Sequence, residues 1–157
     1  MPDETSSSAF PYLAVQGADQ ALAFYQKAFG AELTLRLPDD YGRVSHAEFR
    51  IGRATVMIAD VYPEEDGYTP PPCGASPVTI LVEVPDVDAA FQRAVAAGAV
   101  VIRPLQDSLN GTLRTCKLED PFGHSWMLAT RKDPQKVRAL MQARSYFPAQ
   151  LAGGINM

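Results

Sequence analysis

The strongest constraint on the fold is a pattern of residues that occurs twice in the chain. Residues 13–33 read LAVQGADQALAFYQKAFGAEL, and residues 82–101 read VEVPDVDAAFQRAVAAGAVV. Each segment has a short apolar strand, a turn region with Asp19 or Asp88, an amphipathic helix and an exit through glycine and alanine. A second pair of segments, residues 46–58 and 117–129, matches at a spacing of 71 residues. Matches of this length indicate a duplicated supersecondary unit.

Each half is predicted to have the element order β-α-β-β-β. Alternation and helical spacing predict strands at 10–15, 31–37, 43–51 and 54–60 and a helix at 18–29. The second half repeats this order, with strands at 78–84, 99–104, 112–118 and 124–130 and a helix at 87–97. We therefore predict an α+β protein in which two tandem βαβββ modules form a cup-shaped mixed sheet with the helices outside.

The repeat also predicts how the chain is divided. We expect a flexible N-terminus at 1–9, modules at 10–60 and 78–130, a Pro-rich linker at 61–77, and a C-terminal helix and tail at 131–157. The last helix is predicted at 133–146, with Asp133 as N-cap and Pro134 in the first helical position. Its apolar stripe, formed by Val137, Leu140 and Met141, must cover its own sheet or a partner, and we expect a homodimer.

Composition excludes several classes of function. The chain has 157 residues, a net charge of −4 and no stripe of basic residues, so nucleic acid is not an expected partner. No apolar run approaches the roughly 20 residues that span a membrane, and MPDETSSSAF does not resemble a signal peptide. Two cysteines without paired spacing, Cys73 and Cys116, favour free thiols and a cytoplasmic location.

The linker has two interpretations. Residues 61–77 contain five prolines and two glycines, which is typical of an irregular spacer. Tyr62 and Tyr68 also allow it to act as a lid over a pocket.

The strand at 43–51 is predicted to carry polar residues on one face. Alternation places Val44, His46, Glu48 and Arg50 on one side and Ala47, Phe49 and Ile51 on the other. Phe49 and Ile51 are expected to pack beneath the helix that carries Leu22, Tyr25 and Phe29, because charged side chains cannot be buried there unpaired. His46, Glu48 and Arg50 then point into the cup, with Glu48 held between its two neighbours.

The repeated unit resembles the vicinal oxygen chelate superfamily, which includes glyoxalase I, bleomycin-resistance proteins and extradiol dioxygenases. The resemblance rests on the strand-turn-helix around FYQKAFGAE and on the closing EDPFGHSWML. PYL, SHAEFRIG and DPFGHSWML are similar to the PhnB-like subgroup. The resemblance implies two facing curved sheets and, in the metal enzymes, four inward-facing ligands for one divalent ion.

The positions that the resemblance assigns to metal ligands carry no typical ligand. They fall near Phe10, at Val56 or Ile58, at Thr79, and at Met127. Only Thr79 offers an oxygen, and a neutral hydroxyl is a weak ligand for a divalent ion. We therefore expect no metal and no cofactor. His124 and Asp120 fit a turn, and Cys116 fits a buried thiol better than a nucleophile.

Without metal ligands, the cup is predicted to be a largely apolar pocket. Candidate lining residues are Phe10, Tyr12, Val56, Ile58, Leu81 and Met127, with His46, Glu48, Arg50, Asp60 and Thr79 as polar groups. Such a pocket is typical of a small-molecule site, although the same side chains could simply fill a core. Two hypotheses follow: a metal-free binding protein for a small organic ligand, or a metal-independent or unusual-metal enzyme (a lyase, isomerase or dioxygenase-like protein) that uses His46 and Glu48.

Overall fold

The computed structural model describes residues 6–66 and 74–145 and contains the predicted repeat. The first half consists of β1 (Tyr12–Val15), α1 (Ala18–Phe29), β2 (Glu32–Pro38), β3 (Val44–Ile51) and β4 (Ala54–Asp60). The second half consists of β5 (Thr79–Glu83), α3 (Val87–Ala97), β6 (Val100–Ser108), β7 (Leu113–Glu119) and β8 (Ser125–Arg131). A one-turn helix, α2 (Pro63–Asp66), follows the first half, and α4 (Pro134–Ser145) follows the second.

Both halves have the same strand order. The first sheet is ordered β1-β4-β3-β2 and the second β5-β8-β7-β6. In each sheet the first strand is parallel to the last, and the other neighbours are antiparallel. This confirms the α+β class and the two tandem βαβββ modules, which here form two separate four-stranded mixed sheets.

Helix α1 is positioned by its apolar face. Its buried residues recur at helical spacing, and Gly30 ends the helix in the left-handed region at φ 66°. The buried residues of α1 are Ala18, Ala21, Leu22, Phe24, Tyr25 and Ala28. The predicted bounds of α1 and α3, 18–29 and 87–97, are confirmed.

One hydrophobic core serves both halves. The Tyr25 ring of α1 stacks on Phe49 of β3, with centroids 5.1 Å apart, and lies 5.3 Å from Trp126 of β8. Phe29 is 4.7 Å from the same tryptophan. The helices therefore cover one face of each sheet. We call the opposite faces the first open face, on the β1–β4 sheet, and the second open face, on the β5–β8 sheet.

Strand β6 is longer than the sequence predicts. It was expected to end at Pro104 but continues to Ser108. The pairing of β6 with β7 shifts register between Arg103 and Gln106, so Pro104 lies in an irregularity of an edge strand. Proline is tolerated there because an edge position requires no ladder donor.

The last helix begins as predicted. The Asp133 carboxylate accepts hydrogen bonds from the backbone N–H groups of Gln135 and Lys136, each at 3.1 Å, and Pro134 opens the helix. The side chains of Val137, Leu140 and Met141 lie outside the described part of the structure, as do Tyr68 and Cys73. Within the described residues, no helix combines the length and apolar character needed to span a membrane.

Candidate functional site

Three polar side chains form a hydrogen-bonded chain on the first open face. The Tyr12 hydroxyl lies 2.8 Å from His46 Nδ1, and His46 Nε2 lies 3.1 Å from Glu48 Oε1. Tyr12 is on β1, while His46 and Glu48 are two residues apart on β3. Register brings them together, because Met57 of β4 pairs with both Tyr12 and Glu48.

The arrangement fits a neutral imidazole. When Nε2–H donates to the Glu48 carboxylate, Nδ1 is left to accept a hydrogen bond from the Tyr12 hydroxyl. The imidazole then links the phenol of Tyr12 to the carboxylate of Glu48 through two hydrogen bonds. The side chains of His46 and Glu48 are 24% and 30% exposed, which leaves the cluster accessible to a ligand.

Arg50 does not hold Glu48, contrary to the sequence-based expectation. Its guanidinium pairs with Glu32 at 3.7 Å. The cause is register: Glu32 of β2 lies directly opposite Arg50, whereas Glu48 lies opposite Leu35. Among the described residues, the carboxylate of Glu48 therefore has His46 Nε2 as its side-chain partner.

A cavity of about 640 Å³ lies between the edge strands β1 and β5, next to this cluster. Tyr12 lines it from the first half, and Thr79 and Ser125 line it from the second. The hydroxyls of Thr79 and Ser125 are 3.0 Å apart. The remaining wall is mainly apolar and includes Pro11, Leu13, Val78 and Ile80. Phe10, another predicted lining residue, precedes β1 and is half exposed.

Two further cavities flank the first. One of about 440 Å³ is lined by Tyr12, Asp39, Ala59 and Tyr62, among others. The other, of about 590 Å³, lies between the β3–β4 hairpin and β5, above Trp126. Tyr12 lines both the cavity of about 640 Å³ and the cavity of about 440 Å³. The Tyr12–His46–Glu48 cluster therefore lies where these two cavities meet.

Tyr62 is held beside the smaller cavity by the turn between β2 and β3. Its hydroxyl donates to Asp39 at 3.0 Å, and the guanidinium carbon of Arg43 lies 4.0 Å from its ring centroid. Arg43 also forms ion pairs with Asp39 and Glu64, at 2.9 and 2.6 Å. Tyr62 and Asp39 therefore form part of the rim of the cavity of about 440 Å³. That residues 61–77 act as a lid stays a prediction.

Val56 and Ile58 do not face the cluster, contrary to the sequence-based expectation, although Val56 lines the cavity of about 590 Å³. Both are buried in the core on the helix side of β4, and Met57 occupies the open face between them. The first hairpin encloses two residues, between Ile51 and Ala54, and the second encloses five, between Glu119 and Ser125. This difference shifts the alignment of the repeats, and a one-residue shift moves a strand residue to the other face.

Leu81 and Met127 lie on the second open face, as expected. They pair with each other across β5 and β8, and Leu81 is half exposed. Their neighbours Trp126 and Leu128 are buried in the core. By strand order and register, Leu81 and Met127 correspond to Tyr12 and Met57 of the first half.

Asp60 has a structural role and was wrongly predicted to reach the pocket as a free polar group. Its Oδ1 accepts from the N–H groups of Gly17 and Ala18, at 3.0 and 2.8 Å, at the start of α1. Its Oδ2 accepts from Val44 N–H at 2.7 Å. Val44 itself is fully buried, because a register shift between β2 and β3 takes it off the His46 face.

Asp120 of the EDPFGH segment is a buried acceptor that joins the two halves. Its Oδ2 accepts from the Tyr25 hydroxyl at 2.6 Å and from Trp126 Nε1 at 2.8 Å. Its Oδ1 accepts from the N–H groups of Phe122 and His124. Burial, followed by the charge of Asp120, raises the pKa of Tyr25 well above its ordinary value. The sequence indicated a turn here but not the contact with Tyr25.

His124 and Cys116 are also occupied structurally. His124 Nε2 lies 3.0 Å from the carbonyl oxygen of Ala14, so the imidazole is a hydrogen-bond partner for a backbone carbonyl of the edge strand β1. Cys116 is fully buried, and burial raises the pKa of its thiol. A raised pKa disfavours the thiolate, so Cys116 is a poor nucleophile.

The described residues contain no cluster of three or more His, Cys, Asp or Glu side chains that could hold a metal ion. The corrected alignment of β4 places Met57 at the position that was assigned to Val56 or Ile58. Met57 is also not a ligand of the type that hard divalent ions prefer. The absence of a bound metal stays a prediction.

Comparisons with known proteins agree with this architecture. A profile of the Glyoxalase/Bleomycin resistance protein/Dioxygenase superfamily matches residues 8–128. An uncharacterised protein of Mycobacterium bovis is 46% identical over 121 residues, which cover 75% of this chain and 79% of that protein.

Solved structures show the same likeness. TioX from Micromonospora sp. ML1 is 34% identical with a TM-score of 0.62, over 79% of this chain and 95% of TioX. The fosfomycin resistance protein FosX from Listeria monocytogenes has a TM-score of 0.62 at 19% identity, over 83% and 97% of the two chains, and shares the fold alone.

Proposed function

We propose that this chain, which belongs to the glyoxalase/bleomycin resistance protein/dioxygenase superfamily, binds a small organic molecule without a metal ion. The proposed site is the cavity between β1 and β5. The observation that carries the proposal is the lining of this cavity, which has apolar walls from both halves and a few polar groups, Tyr12, Thr79 and Ser125. Mostly apolar clefts with a few convergent polar groups are typical of ligand sites.

A cavity-filling variant tests this proposal. Thr79→Trp places a large side chain in the cavity, and we expect it to abolish binding of the neutral fluorescent probe N-phenyl-1-naphthylamine. Tyr41→Trp, at a residue that is 87% exposed, is the matched control and should bind like the wild type. Equal probe binding by Thr79→Trp and the wild type would place the site elsewhere.

The metal-free part of the proposal has its own measurement. Phe10, Met57, Thr79 and Met127 supply no carboxylate or imidazole, so we expect elemental analysis to find no stoichiometric divalent ion after dialysis. One equivalent per chain that is lost on mutating any of these residues would refute this expectation.

A second candidate function is catalysis at the first open face. The hydrogen-bonded chain Tyr12–His46–Glu48 favours it, because an imidazole held by a carboxylate is a suitable acid or base. We expect His46→Ala and Glu48→Gln to fold normally and to lose ligand binding or turnover. Variants that are less stable than the wild type but bind the ligand with an unchanged Kd would make the cluster structural.

We also propose that the protein is a homodimer. Apolar side chains of the edge strands β2 and β6 are exposed, including Leu35, Leu37, Val100 and Ile102. Exposed apolar residues on edge strands favour association. Light scattering at micromolar concentration should give the mass of two chains, and a monomeric mass would contradict the proposal. The PhnB-like subgroup and the cytoplasmic location stay predictions.

A further inference from the structure

The side chain of Arg103 reaches across the second open face. Arg103 of β6 pairs with Lys117 of β7, which in turn pairs with Met127 of β8, so the three residues share one row of the sheet. Arg103 Nη2 lies 3.9 Å from Met127 Sδ. The guanidinium therefore extends from the edge strand over β7 to β8, and Lys117 places a second cation beside it.

These two cations lack the partners that other arginines have. Arg36, Arg43 and Arg114 each form an ion pair at 2.9 Å or less, whereas no described carboxylate lies within 4.0 Å of Arg103 or Lys117. Arg103 Nε is buried and has no hydrogen-bond acceptor among the described residues. Glu119, two residues beyond Lys117, uses its carboxylate to accept from Gly74 N–H.

A buried donor without an acceptor destabilises a folded protein, so its presence calls for an explanation. The position of Arg103 supplies one. Met127, which the guanidinium contacts, is two residues from Ser125 on the same face of β8, a separation of about 7 Å along a strand. Ser125 lines the cavity between β1 and β5. A ligand that fills that cavity and extends about 7 Å along the open face of β8 therefore reaches the methionine that the guanidinium contacts.

We infer that Arg103 and Lys117 bind the anionic group of an organic ligand whose apolar part occupies the cavity between β1 and β5. The ligand class is an organic acid: a carboxylate, phosphonate or sulfonate on an apolar body. The planar donors of arginine suit such oxyanions, and Lys117 adds a second positive charge. Glu48 on the first open face repels an anion, so the ligand is oriented with its acid group towards the second half. This inference rests on the proposed function.

A pair of dyes that differ in one sulfonate tests the inference on the full chain. Fluorescence titration gives the Kd of 1-anilinonaphthalene-8-sulfonate and of its neutral analogue, N-phenyl-1-naphthylamine. We expect the wild type to prefer the sulfonate about tenfold, the effect of one charged hydrogen-bonded contact. Arg103→Met should remove that preference without changing the Kd of the neutral dye. Lys117→Met should reduce the preference about threefold, because the lysine head group is a more flexible, hydrated point charge.

Two controls separate binding from folding and from net charge. Arg103→Met keeps an unbranched, flexible apolar stem and removes the unpaired donor, so its melting temperature should equal or exceed that of the wild type. Lys27→Gln removes one charge near the end of α1, on the helix side, and should leave both Kd values unchanged.

The outcomes distinguish the inference from the proposed function. A wild type that binds neither dye overturns both. A wild type that binds both dyes equally, with no change in Arg103→Met, leaves the cavity as a binding site and overturns the anion site. An Arg103→Met variant that dissociates into monomers with an unchanged dye preference assigns the guanidinium to a contact between two copies and also overturns the inference.

Discussion

The two halves share a strand order, but each ties its helix to its sheet in a different way. Helix α1 is preceded by the N-cap residue Gly17, which has φ 88° and provides no side-chain cap. The N–H groups of Gly17 and Ala18 are bound by Asp60, more than 40 residues away. Helix α3 has a local cap, since Asp86 accepts from Ala89 N–H. Thr130, at the position equivalent to Asp60, binds Val87 N–H. The first N–H groups of the helix are thus bound by a distant residue in one half, and by one local and one distant residue in the other.

The open faces differ in the same way. Tyr12, Met57 and Glu48 form one row of the first sheet, and Leu81, Met127 and Lys117 form the equivalent row of the second. In the first row Glu48 is hydrogen-bonded to His46 of the same strand, and in the second Lys117 lies opposite a further cation, Arg103. Duplication has preserved the backbone while the exposed side chains have acquired opposite charge, which teaches that the chemistry of each face must be determined separately.

The largest effect is expected where one half depends on the other. Asp120→Ala removes the acceptor of four donors, two of them from the side chains of Tyr25 and Trp126, and should lower the free energy of unfolding by about 4 kcal/mol. Urea unfolding gives the value. Asp40→Ala, on the surface, should change it by less than about 0.5 kcal/mol. Similar losses for both variants would mean that Asp120 does not join the halves.

A smaller loss of stability is expected when the hydrogen bonds from Asp60 to the start of α1 are removed. Asp60→Ala leaves three backbone N–H groups without their acceptor, and we expect a loss of about 2 kcal/mol in urea unfolding. Asp60→Asn keeps one carbonyl oxygen and should recover part of it. Thr130→Val, the equivalent change in the second half, removes one such contact and should cost about 1 kcal/mol. Equal losses for Asp60→Ala and Thr130→Val would show that both helices depend equally on the residue at the end of the last strand in their half.

Asp86, the local cap of α3, should contribute less to the free energy of unfolding than Asp60 contributes at the start of α1. Asp86→Ala removes the side chain that accepts from Ala89 N–H, and we expect a loss of about 1 kcal/mol in the same assay. Asp86→Ser retains an acceptor and should restore most of the stability. A loss from Asp86→Ala as large as that from Asp60→Ala would show that both helix starts depend equally on their caps.

The smallest effect concerns a feature that the halves share. Asp19 pairs with Arg36 and Asp88 with Arg114, both at 2.8 Å, and each arginine hydrogen bond lowers the pKa of its aspartate. A lowered pKa stabilises the fold above the unfolded value of about 3.9, and this stabilisation is lost as the pH falls through the folded pKa. Asp19→Asn and Asp88→Asn should therefore be slightly less stable than the wild type at pH 7, and the difference should be smaller at pH 2. Unfolding at both pH values gives the comparison, and a difference that persists undiminished in acid would exclude these ion pairs as its cause.

Local patterns predicted the fold well because helices and strands leave periodic signals. The bounds of α1 and α3 followed from apolar spacing and from the glycines that end them. The site was less predictable, because it depends on register between distant strands. His46 and Glu48 were found by alternation, but the bond from Tyr12 to His46 requires β1 and β3 to meet across β4. The face of β4 was misassigned because the two hairpins differ in length, a difference that the matching residues did not reveal.

The packing of Tyr25 and Phe29 on Trp126 has a consequence for how the protein unfolds. The two sheets share no backbone hydrogen bonds in the described residues, so their ladders could in principle open independently. The core prevents this, because α1 cannot keep its aromatic side chains buried once β8 leaves. Amide protons in the central strands of both sheets should therefore exchange with solvent through one common opening, with the same free energy in each half.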